Sequence, residues 1–343
     1  MAQVIKNTLY LMTQGLYLHR DHLSLRIKEN KETRLSVPIH NLESVCIFGH
    51  SSVSPSAMRL CWQNNVSISF LSENGHFEAR VEGIPNSSVV LKRHQFKKSS
   101  SPEHALAIAQ NVVAGKIQNT RWLLRRSARE QTNTESRSLG DAADAMAHLL
   151  RETQCAESLD ALRGTEGRAA AIAFDVWPLH LKPNVRERFH MKGRNRRPPR
   201  DPVNALLSYA YALLRHDCIA ALSAVGLDPF LGFLHADRPA RESLALDLME
   251  EFRPWAERMI ITILNRGEIS KSDLVEREGG SWEISSKGRK QVVQSWQTRK
   301  KQETKHTLLK QKVRFAQLPL IQARLMAKTI REEVHTYTPY LYT

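Results

Sequence analysis

The chain has 343 residues, 41% hydrophobic and 25% charged, enough apolar material for a sizeable core, with two domains as the expectation. Its 50 Lys and Arg against 35 Asp and Glu give a net charge of +15, in clusters, which points to a polyanionic partner, most simply nucleic acid. No apolar run approaches the roughly 20 residues of a membrane span, and the start MAQVIKNTLYLM lacks the long apolar stretch of a signal peptide. A cytoplasmic protein with no membrane partner is expected.

Residues 1–84 read as β-rich, with short segments such as TLYLM, LYLHRDHLSLRIKE, SVCIFG and VSISFLSE alternating apolar and polar. Asn30-Lys31 and Asn74-Gly75 are turn signals, and Ser54-Pro55 opens one intervening helix. The scattered histidines there form no catalytic constellation. Residues 85–101, PNSSVVLKRHQFKKSSS, combine Pro, Ser and the basic cluster Lys92, Arg93, Lys97 and Lys98, and read as a basic linker.

From Ser101-Pro102 the period becomes helical, with Leu106, Ile108, Val112, Val113, Ile117 and Leu124 at helical spacing. Lys116, Arg121, Arg125 and Arg126 decorate this helix, either as a solvated face or as phosphate contacts. After a second helix, Gly164 or Thr165 is the expected cap of a third, which puts Glu166 in a first turn. The small residues Ala169, Ala170 and Ala171 then invite close approach of another element, and an acid beside such a face is a candidate buried ligand. Residues 186–200 hold Arg186, Arg188, Lys192, Arg194, Arg196, Arg197 and Arg200, with Phe189 and His190 interleaved, and suggest a DNA-backbone clamp. Asp201-Pro202 caps a long apolar helix that Gly226 closes. His216-Asp217 lacks the companion histidines of metal phosphohydrolases and is set aside.

The stretch GLDPFLGFLHADRPARESLALDLMEEFRP places His235 in a turn and Asp247 and Glu250 on one face of an apolar helix. Two acids on such a helix, with a His just upstream, look like a metal or acid/base site. A rival reading is a structural ion-pair network of these acids with Arg238, Arg241 or Arg253 in a non-catalytic nucleic-acid-binding protein. A small hairpin around Gly279-Gly280, a basic helix through GRKQVVQSWQTRKKQETKH and an amphipathic one through LPLIQARLMAKTIREEVH follow. Cys46, Cys61, Cys155 and Cys218 form no CxxC and read as reduced core residues.

The strings GTEGRAAAIAF, RNRRPPRDPVNALLSYAYALL and GLDPFLGFLHADRPARESLALDLMEEFRP, in this order and at about this spacing, resemble the CRISPR-associated adaptation integrase (Cas-one) family across nearly the whole chain. The resemblance implies an α+β fold: a β-rich, sandwich-like dimerisation domain over 1–84, the linker 85–101, and a larger all-α catalytic and DNA-binding domain over 102–343. It implies a divalent metal held by Glu166, His235 and Glu250, with Asp247 at an additional acidic position nearby. Oxygen-rich ligands with one imidazole suit Mg²⁺ or Mn²⁺. It further implies a homodimer that joins a small partner protein and inserts short DNA fragments into a CRISPR repeat array, by 3′-hydroxyl attack on a phosphodiester. The same ligands would serve a structure-specific repair nuclease without integration.

Overall fold

Period-2 patterning builds the N-terminal strands. β1 (Asn7–Leu11), β2 (Tyr17–Asp21), β3 (Ser24–Glu29), β4 (Glu32–Pro38), β5 (Leu42–Phe48) and β6 (Ser52–Val53) precede α1 (Pro55–Gln63), and β7 (Ser67–Leu71) and β8 (Phe77–Val81) follow it. Ser54 caps α1 by accepting the Ala57 N–H at 3.2 Å, with Pro55 in the first turn. Asn30 and Lys31 both adopt positive φ, 49° and 70°, as a tight β3–β4 hairpin turn requires. The strands form two four-stranded sheets, ordered β1-β5-β7-β8 and β4-β3-β2-β6. The first is parallel across β1, β5 and β7, with β8 antiparallel. Both sheets and α1 share one apolar core, in which Leu18, Leu25, Val45, Ile47, Leu60 and Ile68 are essentially fully buried.

The computed structural model describes residues 7–73, 75, 77–81, 89–131, 133–191, 193–195 and 198–342. It divides into two compact units, residues 1–86 and 87–343. Asn74 of the second turn signal, and Lys192, Arg196 and Arg197 of the basic segment, lie outside the described residues.

The second unit is mainly helical: α2 (Val89–Ser99), α3 (Pro102–Glu130), α4 (Asn133–Gln154), α5 (Leu159–Asp175), α6 (Pro183–Arg186), α7 (Pro202–Val225), α8 (Ser243–Glu250) and α9 (Arg253–Asn265). Then come β9 (Leu274–Arg277), β10 (Ser281–Ile284), α10 (Ser286–Lys300), β11 (Glu303–Lys305), β12 (Lys312–Arg314) and α11 (Leu318–Ile330). Two expectations change here. The segment read as a linker contains α2, because Leu91 and Gln95 are buried and anchor it. The unit is also not purely helical: β9 and β10 form the hairpin expected around Gly279-Gly280, and β11 and β12 form a second one. That second hairpin interrupts the expected basic helix, which ends at Lys300. No helix among the described residues is long and apolar enough to cross a membrane.

α7 runs as the capping signals indicate: Asp201 accepts the Asn204 N–H at 2.8 Å, and Gly226 ends the helix at φ 91°. α5 does not. Its cap is Ser158, which accepts the Ala161 N–H at 3.2 Å, so the helix passes straight through Gly164 and Thr165 and carries Glu166 in its middle. Of the alanines after it, Ala169 is buried and Ala171 is exposed. Cys155 is exposed, whereas Cys46, Cys61 and Cys218 are buried.

Candidate active site

The turn that carries His235 is built on one carboxylate. Asp247, with no exposed surface, accepts the backbone N–H groups of Phe233 (2.6 Å), Leu234 (3.0 Å) and His235 (3.0 Å). It also contacts His235 Nδ1 at 2.6 Å. So many donors explain why an acid is tolerated at the centre of SLALDLME. Gly232 permits this approach, since a Cβ there would fall 2.8 Å from the Ser243 backbone and 2.9 Å from Asp247 Oδ2. The turn is also bolted to α2. Gln95, fully buried, donates to the Asp228 and Leu231 carbonyls at 2.8 and 2.9 Å and accepts from Asp228 N–H at 2.9 Å.

One turn further along α8, Glu250 is 2% exposed. Its Oε1 lies 2.8 Å from Arg253 Nε and 3.8 Å from His235 Nε2. Its Oε2 lies 2.7 Å from Lys116 Nζ, an ion-pair contact outside hydrogen-bond geometry. Lys116 also bonds Glu166 Oε1. Burial alone would raise the Glu250 carboxyl, but Arg253, Lys116 and His235 outweigh it and hold the group well below the usual carboxylate range. Arg253 lies against the Tyr211 ring, 4.8 Å from its centroid, and Arg194 lies 5.4 Å from the same ring. Tyr211 OH donates to Glu257 at 2.7 Å, and burial pushes both groups' pKa values upward.

The structure therefore joins Glu166 of α5 and Glu250 of α8 on the ammonium of Lys116 on α3, with His235 of the 226–242 connection beside Glu250 and Asp247 of α8 against the other side of its ring. Lys116 is the residue that sequence reasoning missed: on paper it is one of four basic residues on a long helix. The Arg253–Glu250 pair of the rival reading is real, yet Glu166 takes its positive partner from Lys116. Among the described residues, no three His, Cys, Asp or Glu side chains are grouped closely enough to hold a metal in this conformation. Lys116 nevertheless tests the fit of a cation. Its charge is gripped by the two carboxylates, one of which has His235 Nε2 beside it. This donor set of two carboxylates and an imidazole suits a hard divalent cation.

Behind the site, the C-terminal segment straps α3 to α8. Glu251, next to Glu250, accepts Tyr337 OH at 2.6 Å and Tyr340 N–H at 2.5 Å. Asn119, one turn beyond Lys116, donates to the Glu251 and Tyr340 carbonyls, both at 2.8 Å. Burial pushes the Glu251 carboxyl up to about 8.

The basic segment is less free than its sequence suggests. Arg186 pairs with Glu135 at 2.8 Å, and Arg194 donates to Asn204 at 2.6 Å and Ser208 at 3.2 Å. Phe189 is 4% exposed and belongs to the core, whereas Arg188 and Arg200 are exposed.

The sequence profile of the family described as CRISPR associated protein Cas1 matches residues 9–298. A CRISPR-associated endonuclease Cas1 from Moorella thermoacetica is 41% identical over 341 residues, covering 99% of both chains. Among solved structures, a casposase bound to integration product superposes with a TM-score of 0.82 at 20% identity, over 97% of this chain and 92% of that one. A chain of a Cas6-RT-Cas1–Cas2 complex matches with a TM-score of 0.81 at 22% identity, over 99% of this chain and 36% of that one. With a matching profile and a relative of this identity along its whole length, the chain belongs to the CRISPR-associated Cas1 family of endonucleases.

Proposed function

We propose that this CRISPR adaptation endonuclease acts on DNA phosphodiesters with Mg²⁺ or Mn²⁺ held by Glu166, His235 and Glu250, and that it joins DNA 3′ ends to a repeat array by transesterification. The observation that carries the proposal is the cation already gripped there: Lys116 Nζ contacts both Glu166 and Glu250, and His235 Nε2 lies 3.8 Å from Glu250.

When bound, a divalent cation polarises the phosphodiester and lowers the pKa of an attacking hydroxyl. The chain's own residues prepare the site for it. Asp247 accepts a hydrogen bond from His235 Nδ1–H, so that a neutral ring would offer its Nε2 lone pair to a cation beside Glu250. Arg253 and Lys116 favour the ionised form of Glu250. Lys116, once displaced from the carboxylates, would leave its ammonium free to meet a phosphate oxygen. Water as nucleophile gives hydrolysis and a DNA 3′-hydroxyl gives integration, so the bound DNA decides the outcome.

For two-ended insertion, a homodimer through residues 1–84, bridged by a small partner protein, would hold two such sites apart. An exposed edge strand, β4, with Leu35 49% exposed, is available for pairing, and the Cas6-RT-Cas1–Cas2 assembly is a precedent in a similar chain. Exposed Arg188 and Arg200 suit backbone phosphates. The test is to incubate the protein with labelled duplex carrying 3′-hydroxyl ends and a supercoiled repeat-bearing plasmid, in Mg²⁺, Mn²⁺ or EDTA. Covalent transfer of label in either metal, abolished by EDTA and by Glu166→Ala or His235→Ala, is expected. Transfer that survives EDTA or either substitution rejects the site.

A further inference from the structure

Away from the carboxylates, three guanidinium groups converge from three helices: Arg126 on α3, Arg258 on α9 and Arg299 on α10. The first two share the Trp122 ring, with Arg126 Cζ 5.7 Å and Arg258 Cζ 5.0 Å from its centroid. Arg299 lies over Trp255 at 5.8 Å. The acid beside this group is Glu130, which pairs with Arg126 at 3.2 Å. Among the described residues, no ion pair reaches Arg258 or Arg299.

Two buried polar atoms are left without partners there. Arg299 is 9% exposed and its Nε finds no acceptor, and the Tyr342 hydroxyl is buried without a hydrogen bond. Unsatisfied buried polar groups are uncommon, and each calls for a reason. The electrostatics agree. Burial, then the charges of Arg258 and Arg126, push Arg299 down to about 10, and burial with Arg126 lowers Arg258 as well. Glu130 offsets part of this repulsion, and one carboxylate against three guanidiniums leaves the cluster net positive. The cluster is pre-organised, since the indoles of Trp122 and Trp255 fix the guanidinium planes. Tyr342 is held by its backbone N–H to Asn119 Oδ1 at 3.0 Å and by ring contact with Trp122 at 5.2 Å.

We propose that Arg126, Arg258, Arg299 and the Tyr342 hydroxyl form a phosphate-binding site, filled by a backbone phosphate of the DNA strand engaged at the carboxylate site. Guanidinium forks match phosphate oxygens bidentately, and a phenol adds a neutral donor. The position suits a strand that continues from the reacting phosphate. Lys116 and Arg126 are ten residues apart on α3, or about 15 Å at 1.5 Å per residue. Successive phosphates of a strand are farther apart than their axial rise of 3.4 Å, so this is about two to three nucleotides from the scissile phosphate. The proposal rests on the reading of the chain as a DNA-acting enzyme, not on which residues hold the metal.

The test uses the full chain in EDTA, so that failure of the metal assignment leaves it unaffected. Binding of a labelled duplex is titrated against NaCl for wild type and for the double variant Arg126→Gln/Arg258→Gln. Arg299 is left in place because it packs on Trp255. Losing one neutralised phosphate should flatten the log–log salt slope by about 0.9 and weaken binding roughly tenfold or more. In parallel, inorganic phosphate at matched ionic strength should raise the wild-type Tm and not that of the variant. A scan of single methylphosphonates along the DNA, about one to five nucleotides from the scissile position, should weaken wild-type binding at one position. That position should have no further effect in the variant. An unchanged slope with loss of the phosphate-dependent Tm shift would assign the site to free phosphate and overturn the DNA part. If slope, Tm shift and scan are all unchanged, there is no site. Should the variant fail to fold, the scan on wild-type protein decides, and a flat profile overturns the proposal.

Discussion

Replacing Asp247 by Asn separates the two roles assigned to this carboxylate. Oδ2 accepts the Phe233 and Leu234 N–H groups, and Oδ1 accepts the His235 N–H and contacts its ring nitrogen. An amide keeps one acceptor oxygen, and if this stays on Phe233 and Leu234 its NH₂ faces the His235 N–H and donates to Nδ1 only after the ring changes tautomer. One orphaned N–H, with weaker bonds to an uncharged acceptor, costs about 1–3 kcal/mol. The ring is affected too: without a carboxylate at Nδ1, the tautomer that presents Nε2 is no longer enforced. An outer partner of a ligating His is worth about 10–100-fold in metal affinity or activity. Urea unfolding at pH 7 should show the stability loss. Mn²⁺ binding followed by EPR and strand transfer into a repeat-bearing plasmid should both fall by the larger factor. An Asp247→Asn protein within threefold of wild type in both, with less than 1 kcal/mol of lost stability, would refute the claim that this acid builds the turn and orients the histidine.

Gly232→Ala places a Cβ 2.8 Å from the Ser243 backbone, so the turn must lift off α8 at a cost of about 1–3 kcal/mol; strand transfer should fall with stability, and full activity would contradict the close approach. Lys116→Met leaves Glu166 and Glu250 without their shared cation; the metal-free protein should lose about 1–3 kcal/mol, less than for a fully buried pair because the Glu166 side chain is 27% exposed. Calorimetry should then show a larger Mn²⁺-dependent rise in Tm than in wild type, and an equal rise would place Lys116 outside the site. Glu251 is pushed up to about 8 by burial, so the folded chain keeps a proton that the unfolded chain loses near pH 4.3. Its contribution is therefore greatest below about pH 4 and declines as pH rises toward 8, by at most about 1.4 kcal/mol per unit. Glu251→Gln should flatten the fall in stability between pH 6 and 8 by about 2–3 kcal/mol, and parallel profiles for the two proteins would rule this out.

The legible parts of the chain are those set by local chemistry. Ser54-Pro55, Ser101-Pro102, Asp201-Pro202 and Gly226 mark helix ends because capping involves residues close in sequence. Gly164 and Thr165 resemble a break and so hide the Ser158 cap, yet a glycine with open space around it is compatible with a continuing helix. The helix α2 looks like a linker in sequence because its burial rests on Gln95 bonding a turn more than 130 residues away, which no local pattern reveals. Phe189 resembles part of a DNA clamp for the same kind of reason: an aromatic among arginines looks exposed until the core it fills is known.

By itself, the sequence determined the class of the fold, the family and the acids and histidine worth testing, because helix periodicity, cap chemistry and the 226–254 string are local properties. Tertiary structure alone decided which groups meet. It brought Lys116 from α3 onto Glu166 and Glu250, set Asp247 beneath the His235 turn rather than beside Glu250 as an equal ligand, and gathered Arg126 and Arg258 from two helices on Trp122. Those pairings depend on distances between residues far apart in the chain, and long basic side chains look alike in sequence until the packing shows which charge each one reaches.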